Sequence, residues 1–340
     1  VEDKMNNDEK FTKKRHILVI GGAGYIGSML VGRLLTRGYK VRVLDKLIYD
    51  NGISIVDFLE NDNFSFIKGD LSSREDLEKS IDGITDVILL AALVGDPICK
   101  KYPELAKQTN LEGPKKLVDF LNGRGIARFI FTSTCSNYGL IKDNIPARET
   151  SDLNPLSLYA ETKVDFEKYL LSKRNDFHPV ILRLATAFGI SRRMRFDLTV
   201  SQFTRELTLG KDFLVYDENT WRPYCHILDI SQAIIEILES DTKDVSGEIF
   251  NVGSNSENYT KKMIVDVIKK KLPNVNVKYK EGGFDPRNYR VSFDKIVEKL
   301  GFKAKYTVPG CISTLINAVQ NGIFNKVNEN KQFFGNYIID

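Results

Sequence analysis

HILVIGGAGYIG, residues 16–27, decides how the rest of the chain is read. Its first five residues are an apolar run without alternation, as expected of a strand buried on both faces of a parallel sheet. Gly21, Gly24 and Gly27 follow, with a helical pattern over 25–37. Gly21 can take the φ that a sharp strand-to-helix turn needs. Gly24 puts no Cβ between backbone and ligand, so a pyrophosphate can sit on the helix N-terminus. Gly27 lets the helix pack close to the strand. A glycine trio alone is a weak signal. Here it follows a strand, opens a helix, and precedes a second strand, 40–44, that ends in Asp45 about 20 residues further on. That carboxylate suits a ribose 2′-OH and repels a 2′-phosphate, so the expected cofactor is NAD rather than NADP. Tyr25, Ile26 and Lys46 adjoin these positions and join Gly21, Gly24, Gly27 and Asp45 as cofactor-binding candidates.

The chain has 340 residues, enough for one large domain or two lobes. Its net charge of +4 is modest and spread along the sequence, which does not suggest a nucleic-acid binder. No apolar run approaches a membrane span, and no secretory signal is expected ahead of the fold. Four cysteines (Cys99, Cys135, Cys225, Cys311) and three histidines are dispersed. That scatter fits a reducing, cytoplasmic setting and gives no metal-ligand spacing. Residues 1–14 are polar and uncapped. A flexible tail is expected there, with Met5 as the natural start.

From residue 14 to about 184, strands and helices alternate. Strands are expected over 16–20, 40–44, 64–68, 86–92, 127–132 and 179–184. Helices are expected over 25–37, 52–60, 73–81, 103–122 and 158–172. Buried strands alternating with helices imply a doubly wound parallel sheet with ligands beyond the strands' carboxyl ends. After 184 the pattern loosens. Helices are expected over 197–209, 228–240, 261–271, 293–300 and 309–321, and strands over 213–216, 248–252 and 275–279. The 248–252 strand should return to the main sheet. The division is then a tail at 1–14, a dinucleotide-binding domain at 15–185 plus 226–255, and a smaller mixed α/β substrate lobe at 186–225 plus 256–330. The cleft between lobes is the natural substrate site.

Tyr159 and Lys163 stand four apart on one expected helix and so face the same way. An ammonium beside a phenol lowers the phenol's pKa towards working pH. Such a tyrosine can take a proton from a substrate hydroxyl during oxidation and return it on reduction. The lysine can also hold the nicotinamide ribose. Tyr-x-x-x-Lys is common by itself; its place on the helix after the fifth strand is what makes it informative. At the end of that strand, a hydroxyl at Thr134 can orient the substrate oxygen against Tyr159. Cys135 and Ser136 are substrate candidates, although a small buried residue is the plainer reading of each.

Several stretches occur in a telling order: GGAGYIG, Asp45, Gly69-Asp70-Leu71, Ala91-Ala92, Asn110-Leu111-Glu112-Gly113, Ser133-Thr134 with Tyr138-Gly139, Tyr159-Ala160-Glu161-Thr162-Lys163, Leu182-Arg183-Leu184 and Phe250-Asn251-Val252-Gly253. Over residues 15 to 325 the chain resembles an extended short-chain dehydrogenase/reductase of the NAD-dependent epimerase/dehydratase family. The resemblance implies a Rossmann-like fold and places Asp70 and Leu71 near the adenine. It sets Ala91, Ala92, Leu93 and Ser133 along the cofactor and Asn110 behind the site. Thr134, Tyr159 and Lys163 become the catalytic triad, and a nucleotide-diphosphate sugar the substrate. It implies a homodimer through the helices at 103–122 and 158–172. Arg222 and Arg287 match positions that reach the diphosphate or ribose. Arg192 and Arg195 are further substrate candidates, with a structural role equally open for them and for Arg193 and Arg290. His226 and Asp229 match a stretch expected to brace the lobe junction. The pattern also departs from the family. Sugar 4,6-dehydratases carry Asp-Glu directly after the catalytic Thr, where this chain has Cys135 and Ser136. Asn137 replaces the valine usual in 4-epimerases. The expected reaction is sugar epimerisation, at C4, by transient oxidation to a keto sugar; the alternatives are a keto-sugar reductase or dehydrogenase, and a non-catalytic NAD-binding sensor.

Overall fold

Strand β1 (His16–Ile20) runs into the glycine turn and then helix α1 (Gly27–Thr36). The computed structural model describes residues 15–141, 145–283 and 285–339, so the expected tail lies outside the described residues. The chain continues through β2 (Lys40–Asp45), a 3₁₀ helix (Asn51–Phe58), β3 (Phe64–Lys68), α2 (Arg74–Ile81) and β4 (Asp86–Leu89). Next come α3 (Asp96–Lys101), α4 (Pro103–Lys107), a π-helical turn (Gln108–Glu112) and α5 (Gly113–Leu121). β5 (Arg128–Thr134), α6 (Leu158–Ser172) and β6 (His178–Leu184) complete the first stretch. These strands and a later one, β10 (Ile249–Val252), form a seven-stranded sheet, ordered β10-β6-β5-β4-β1-β2-β3, with every pairing parallel.

Alternate side chains of each strand explain the unbroken apolar runs. Ile17, Val19, Val41, Val43, Ile88, Ile130 and Val180 pack with Leu30 and Leu34 of α1 on one face of the sheet. Leu18, Ile20, Val87, Leu89, Phe129 and Phe131 pack on the other with Leu77, Leu117, Phe166 and Leu170. Both faces are covered, so neither can be polar. Two glycines make the turn after β1 possible. Gly21 has φ +86°, and a Cβ there would lie 2.7 Å from the Ala91 nitrogen. A Cβ on Gly27 would collide with the Gly21 carbonyl oxygen.

Beyond β6 lie β7 (Thr186–Phe188), α7 (Thr199–Thr208), β8 (Phe213–Tyr216), β9 (Trp221–His226) and α8 (Ile227–Glu239). The chain then re-enters the main sheet as β10 (Ile249–Val252), leaves as β11 (Asn258–Thr260), and adds α9 (Lys261–Lys271), β12 (Val277–Lys280), α10 (Asp294–Leu300) and α11 (Val308–Gln320). β7, β9 and β11 form a three-stranded sheet, and β8 pairs with β12. Among the described residues no helix is long and apolar enough to cross a membrane.

The structure differs from the sequence expectation in several elements. β7, β9, β11 and α3 form where none was expected, the short helix expected over 52–60 is a 3₁₀ helix, and the single helix expected over 103–122 is interrupted by the π turn. His226 caps α8: its Nδ1 accepts from the Leu228 amide at 3.1 Å and its ring stacks on Tyr306 at 4.5 Å. Asp229 accepts from the Lys305 and Tyr306 amides, tying α8 to the segment before α11. Burial pulls the His226 pKa down from 6.5 to about 4. The neutral ring is therefore favoured in the fold. Its stabilisation is complete above about pH 6.5 and is lost as pH falls through about 4, a contribution of about 3 kcal/mol. Urea titrations at pH 7 and pH 4 should show the wild type losing about that much more stability than His226→Asn.

Candidate active site

A cleft of about 960 Å³ opens over the carboxyl ends of the parallel strands, where ligands bind in such sheets. The glycine turn forms its floor at one end, with Gly21, Gly24, Tyr25, Ile26 and Gly27 all lining it. Tyr25 is itself fixed, its phenol donating to the Gly189 carbonyl at 2.6 Å. At the end of β2, Asp45 accepts from the amides of Ala23 (3.0 Å) and Leu47 (2.9 Å). The Ala23 carbonyl accepts from Asn51 Nδ2 and Ser54 Oγ, two residues that the sequence reading missed. This web fixes the shape of the turn and the carboxylate together. Burial pushes the Asp45 carboxyl above its usual range, against the two amide bonds that hold it down. Lys46 pairs with Asp70 at 2.9 Å across the ends of β2 and β3, and Leu71 lines the wall beside them.

The loop after β4 brings Ala91, Ala92 and Leu93 into the cleft. Asn110 acts from behind. Its Oδ1 accepts from the Leu93 amide at 2.7 Å and its Nδ2 donates to the Leu93 carbonyl at 3.0 Å. The wider π turn carries Asn110 and aims its amide at that loop. Asn110 is almost wholly buried and does not line the cleft, so its role there is to hold the loop.

Thr134, Tyr159 and Lys163 meet at the centre. Thr134 Oγ1 accepts from the Ser136 amide at 3.1 Å, and the threonine lines the cleft together with Tyr159 and Lys163. Ser157 caps α6, its Oγ accepting from the Ala160 amide and donating to Asp96 at 2.6 Å. Lys163 is buried, and its Nζ donates to the Thr132 carbonyl at 3.0 Å and stands 6.0 Å from the Tyr159 ring centre. The expected lowering of the phenol pKa is not what the site displays. Burial pushes the Tyr159 phenol well above its usual range, with Asp96 adding to the rise. Burial likewise pulls Lys163 down to about 7. Desolvation is the largest influence on both groups.

Beneath this centre lies a buried ion pair. Glu167, one turn beyond Lys163, bonds Arg183 of β6 at 2.7 Å and accepts from Asn137 Nδ2 at 2.8 Å and from Ser133 Oγ. Ser133 therefore borders the cleft with its hydroxyl committed to Glu167. Glu167 was missed by the sequence reading. Its signal was a carboxylate on the apolar face of the helix that carries Tyr159 and Lys163.

At the far end, Arg222 and Arg287 grip Asp285, each at 2.8 Å. Arg287 also pairs with Asp96 at 2.7 Å and donates to Ser136 Oγ at 3.2 Å, which Tyr289 approaches as well. Against the cost of burial, Arg287 and Arg222 hold the Asp285 carboxyl well below its usual range. Ser136 thus faces the cleft, whereas Cys135 does not. The Cys135 thiol is fully buried and donates to the Arg183 carbonyl at 3.2 Å, because the 3₁₀ turn Cys135–Tyr138 rotates it into the core. Arg192 is likewise outside the cleft, paired with Asp57 at 3.3 Å and lying over the Phe58 ring. Arg195 does line it, as a bidentate partner of Asp197. Arg193 and residues of the 332–339 segment line it too; no motif in the sequence marks the latter.

Residues 17–253 match the model of the NAD dependent epimerase/dehydratase family. The UDP-glucose 4-epimerase of Streptococcus mutans is 28% identical over 317 residues, covering 85% of this chain and 92% of that protein. The UDP-glucuronic acid 4-epimerase of Bacillus cereus, solved with UDP-glucuronic acid and NAD, superposes with a TM-score of 0.81 at 25% identity, over 90% of this chain and 99% of that one. The NAD complex of the Thermus thermophilus UDP-glucose 4-epimerase gives 0.78 at 25% identity, with the same coverage of each chain.

Proposed function

The chain belongs to the NAD-dependent epimerase/dehydratase family, and we propose that within it the protein is a nucleotide-sugar epimerase acting at C4. One observation carries this choice. The Thr134, Tyr159 and Lys163 groups converge at the cleft centre, yet neither residue after Thr134 is a carboxylate: Cys135 is turned into the core and Ser136 is a hydroxyl. Proton transfer at a sugar hydroxyl is therefore provided for, and the acid and base that would expel water in a dehydratase are missing from those positions. The similarity to UDP-glucose and UDP-glucuronic acid 4-epimerases supports the same reading.

Gly21, Gly24 and Gly27 at the α1 N-terminus, with Asp45 at the end of β2, suit the pyrophosphate and ribose of NAD. Bound NAD supplies a reversible two-electron acceptor. Tyr159 takes the hydroxyl proton from the sugar and later returns it, Thr134 orients the same oxygen, and Lys163 sets the charge beside the phenol. Arg222 and Arg287 release Asp285 in part to take the substrate diphosphate, a bidentate exchange of one oxyanion for another. The cleft leaves room for the sugar to present its other face. We place the protein in the cytoplasm and infer that it works as a homodimer through the 103–122 and 158–172 stretches. Half-buried Tyr169 and exposed Leu171 lie on the second of these and support that contact.

The test uses purified protein with no cofactor added, incubated with UDP-, GDP-, CDP- and dTDP-hexoses. Catalytic formation of an epimer is the expected result. Conversion that consumes added NAD or NADH mole for mole would replace the epimerase with a dehydrogenase or reductase. A 4-keto-6-deoxy product would replace it with a dehydratase.

A further inference from the structure

One wall of the cleft has no part in the chemistry above. Past α11 the chain turns back and lays residues 332–339 along the dinucleotide half. Gln332 Nε2 donates to the Ile48 carbonyl at 3.1 Å, beyond β2. Asn336 Nδ2 donates to the Val94 carbonyl at 2.8 Å, beyond β4. Phe334 accepts from the Phe196 amide at 2.8 Å, and Ile339 from the Tyr102 phenol at 3.3 Å. The segment thus ties together three loops that rim the cleft, and Asn336, Tyr337 and Ile339 line its inner surface.

Arg193 sits behind this wall. It is 2% exposed and lines the cleft. Its Nη1 donates to Asn336 Oδ1 at 2.7 Å, and its Nη2 to the carbonyls of Gln332 and Gly335, both at 3.2 Å. All three partners are neutral oxygens of the 332–336 turn. Nε is buried with no hydrogen-bond partner among the described residues. The guanidinium lies 4.4 Å over the Tyr49 ring. The neighbouring Arg195 already has its carboxylate, Asp197. The carboxylates of Asp197 and Asp45 act on Arg193 through space, but none of its hydrogen bonds goes to an anion, so an oxyanion in the cleft would complete it. Burial draws the Arg193 pKa down to about 10, with the positive charge of Arg195 adding to that shift and Asp197 and Asp45 opposing it.

Its place in the fold says which anion. Ser191 Oγ donates to the Tyr25 carbonyl at 2.7 Å, bonds Ser28 Oγ at 3.2 Å and accepts from the Arg193 amide at 3.3 Å. The 191–193 run is therefore pinned to the first turn of α1, the helix end that favours a phosphate. Arg222 and Arg287 stand at the other end of the cleft beside Ser136. We propose that Arg193 is a diphosphate-binding residue of the dinucleotide site, and that the 332–339 segment holds its guanidinium and closes the site over bound NAD. The inference rests on the NAD dependence of the family and not on which sugar is turned over.

Full-length Arg193→Gln, Arg193→Lys and Asn336→Ala are compared with wild type after bound nucleotide is stripped. The probes are NAD, ADP-ribose and adenosine, the last lacking a diphosphate, each titrated by calorimetry. Arg193→Gln should raise the Kd for NAD and for ADP-ribose about 10- to 100-fold and leave adenosine unchanged. Arg193→Lys should recover part of that loss. Asn336→Ala should speed release of preloaded NAD. An unchanged NAD Kd in folded Arg193→Gln overturns the assignment, and so does an equal loss for adenosine. If Arg193→Gln does not fold, the decision passes to Asn336→Ala, where an unchanged release rate overturns it. All these readouts are binding constants or rates, so absence of epimer formation in the preceding test leaves them standing.

Discussion

Tyr159→Phe should lower turnover by about three orders of magnitude while leaving bound NAD and the unfolding midpoint close to wild type. The variant removes one hydroxyl at the cleft centre, with the ring and its packing kept. What disappears is the phenol that lines the cleft with Thr134, and with it the proposed path for the substrate proton. A second readout separates chemistry from shape. Lys163, pulled down to about 7, loses its charge above neutral pH, and burial raises the Tyr159 pKa, so the wild-type rate should carry an alkaline limb on which the phenol ionises. The residual rate of the phenylalanine variant should lack that limb. A fully active Tyr159→Phe, or one with the wild-type pH profile, would remove Tyr159 from the mechanism. Loss of NAD from the variant would instead make the tyrosine a binding residue.

Glu167→Leu should destabilise the fold by about 3–5 kcal/mol, read as a lower urea midpoint. The carboxylate joins α6 to the ends of β5 and β6, and its Arg183 partner is only 4% exposed at the side chain. With leucine in its place, Arg183 keeps the Tyr138 hydroxyl and the Glu149 carbonyl but no negative charge. The double variant Glu167→Leu/Arg183→Leu should regain a large part of the loss, because it removes the stranded cation along with its partner. A single variant within 1 kcal/mol of wild type would mean that water or a local shift already solvates Arg183. Lys163 lies one helical turn from Glu167, so turnover should fall as well.

The main sheet was legible because its physics is local. Strands buried on both faces must be apolar throughout, and the glycine turn with Asp45 ties the first βαβ unit to a ligand before any contact is known. Tyr159 and Lys163 could be paired because helical spacing alone brings them to one side. Other features depended on partners far along the chain. Trp221–His226 contains a proline and two basic residues, and becomes a strand only because β7 and β11 flank it. Helix Asp96–Lys101 has six residues, too few for a periodic signal. The π turn at Gln108–Glu112 leaves no mark in composition beyond a buried Asn110 where an apolar residue would continue the stripe. Cys135 was placed with the substrate by adjacency to Thr134. A strand's alternation stops where a 3₁₀ turn begins, and that turn decides which of Cys135 and Ser136 meets the cleft. Glu167 and Arg183 are each anomalous on an apolar face, but nothing in the sequence pairs them.

The bond from Gln332 to Ile48 spans 284 residues, and it bears on how the protein is made. The parallel sheet is complete once β10 has emerged, whereas the wall over the dinucleotide half follows only about 80 residues later. At ordinary rates of synthesis that interval is roughly 4–16 s. During it residues 332–339 cannot yet cover the approach to the glycine turn. If the 332–339 segment closes the dinucleotide site as proposed, cofactor should load more readily before that segment docks than after it. On this view a mature molecule exchanges its cofactor slowly because of the sequence of events that built it, and refolding without NAD present would yield protein that must reopen before it can be loaded.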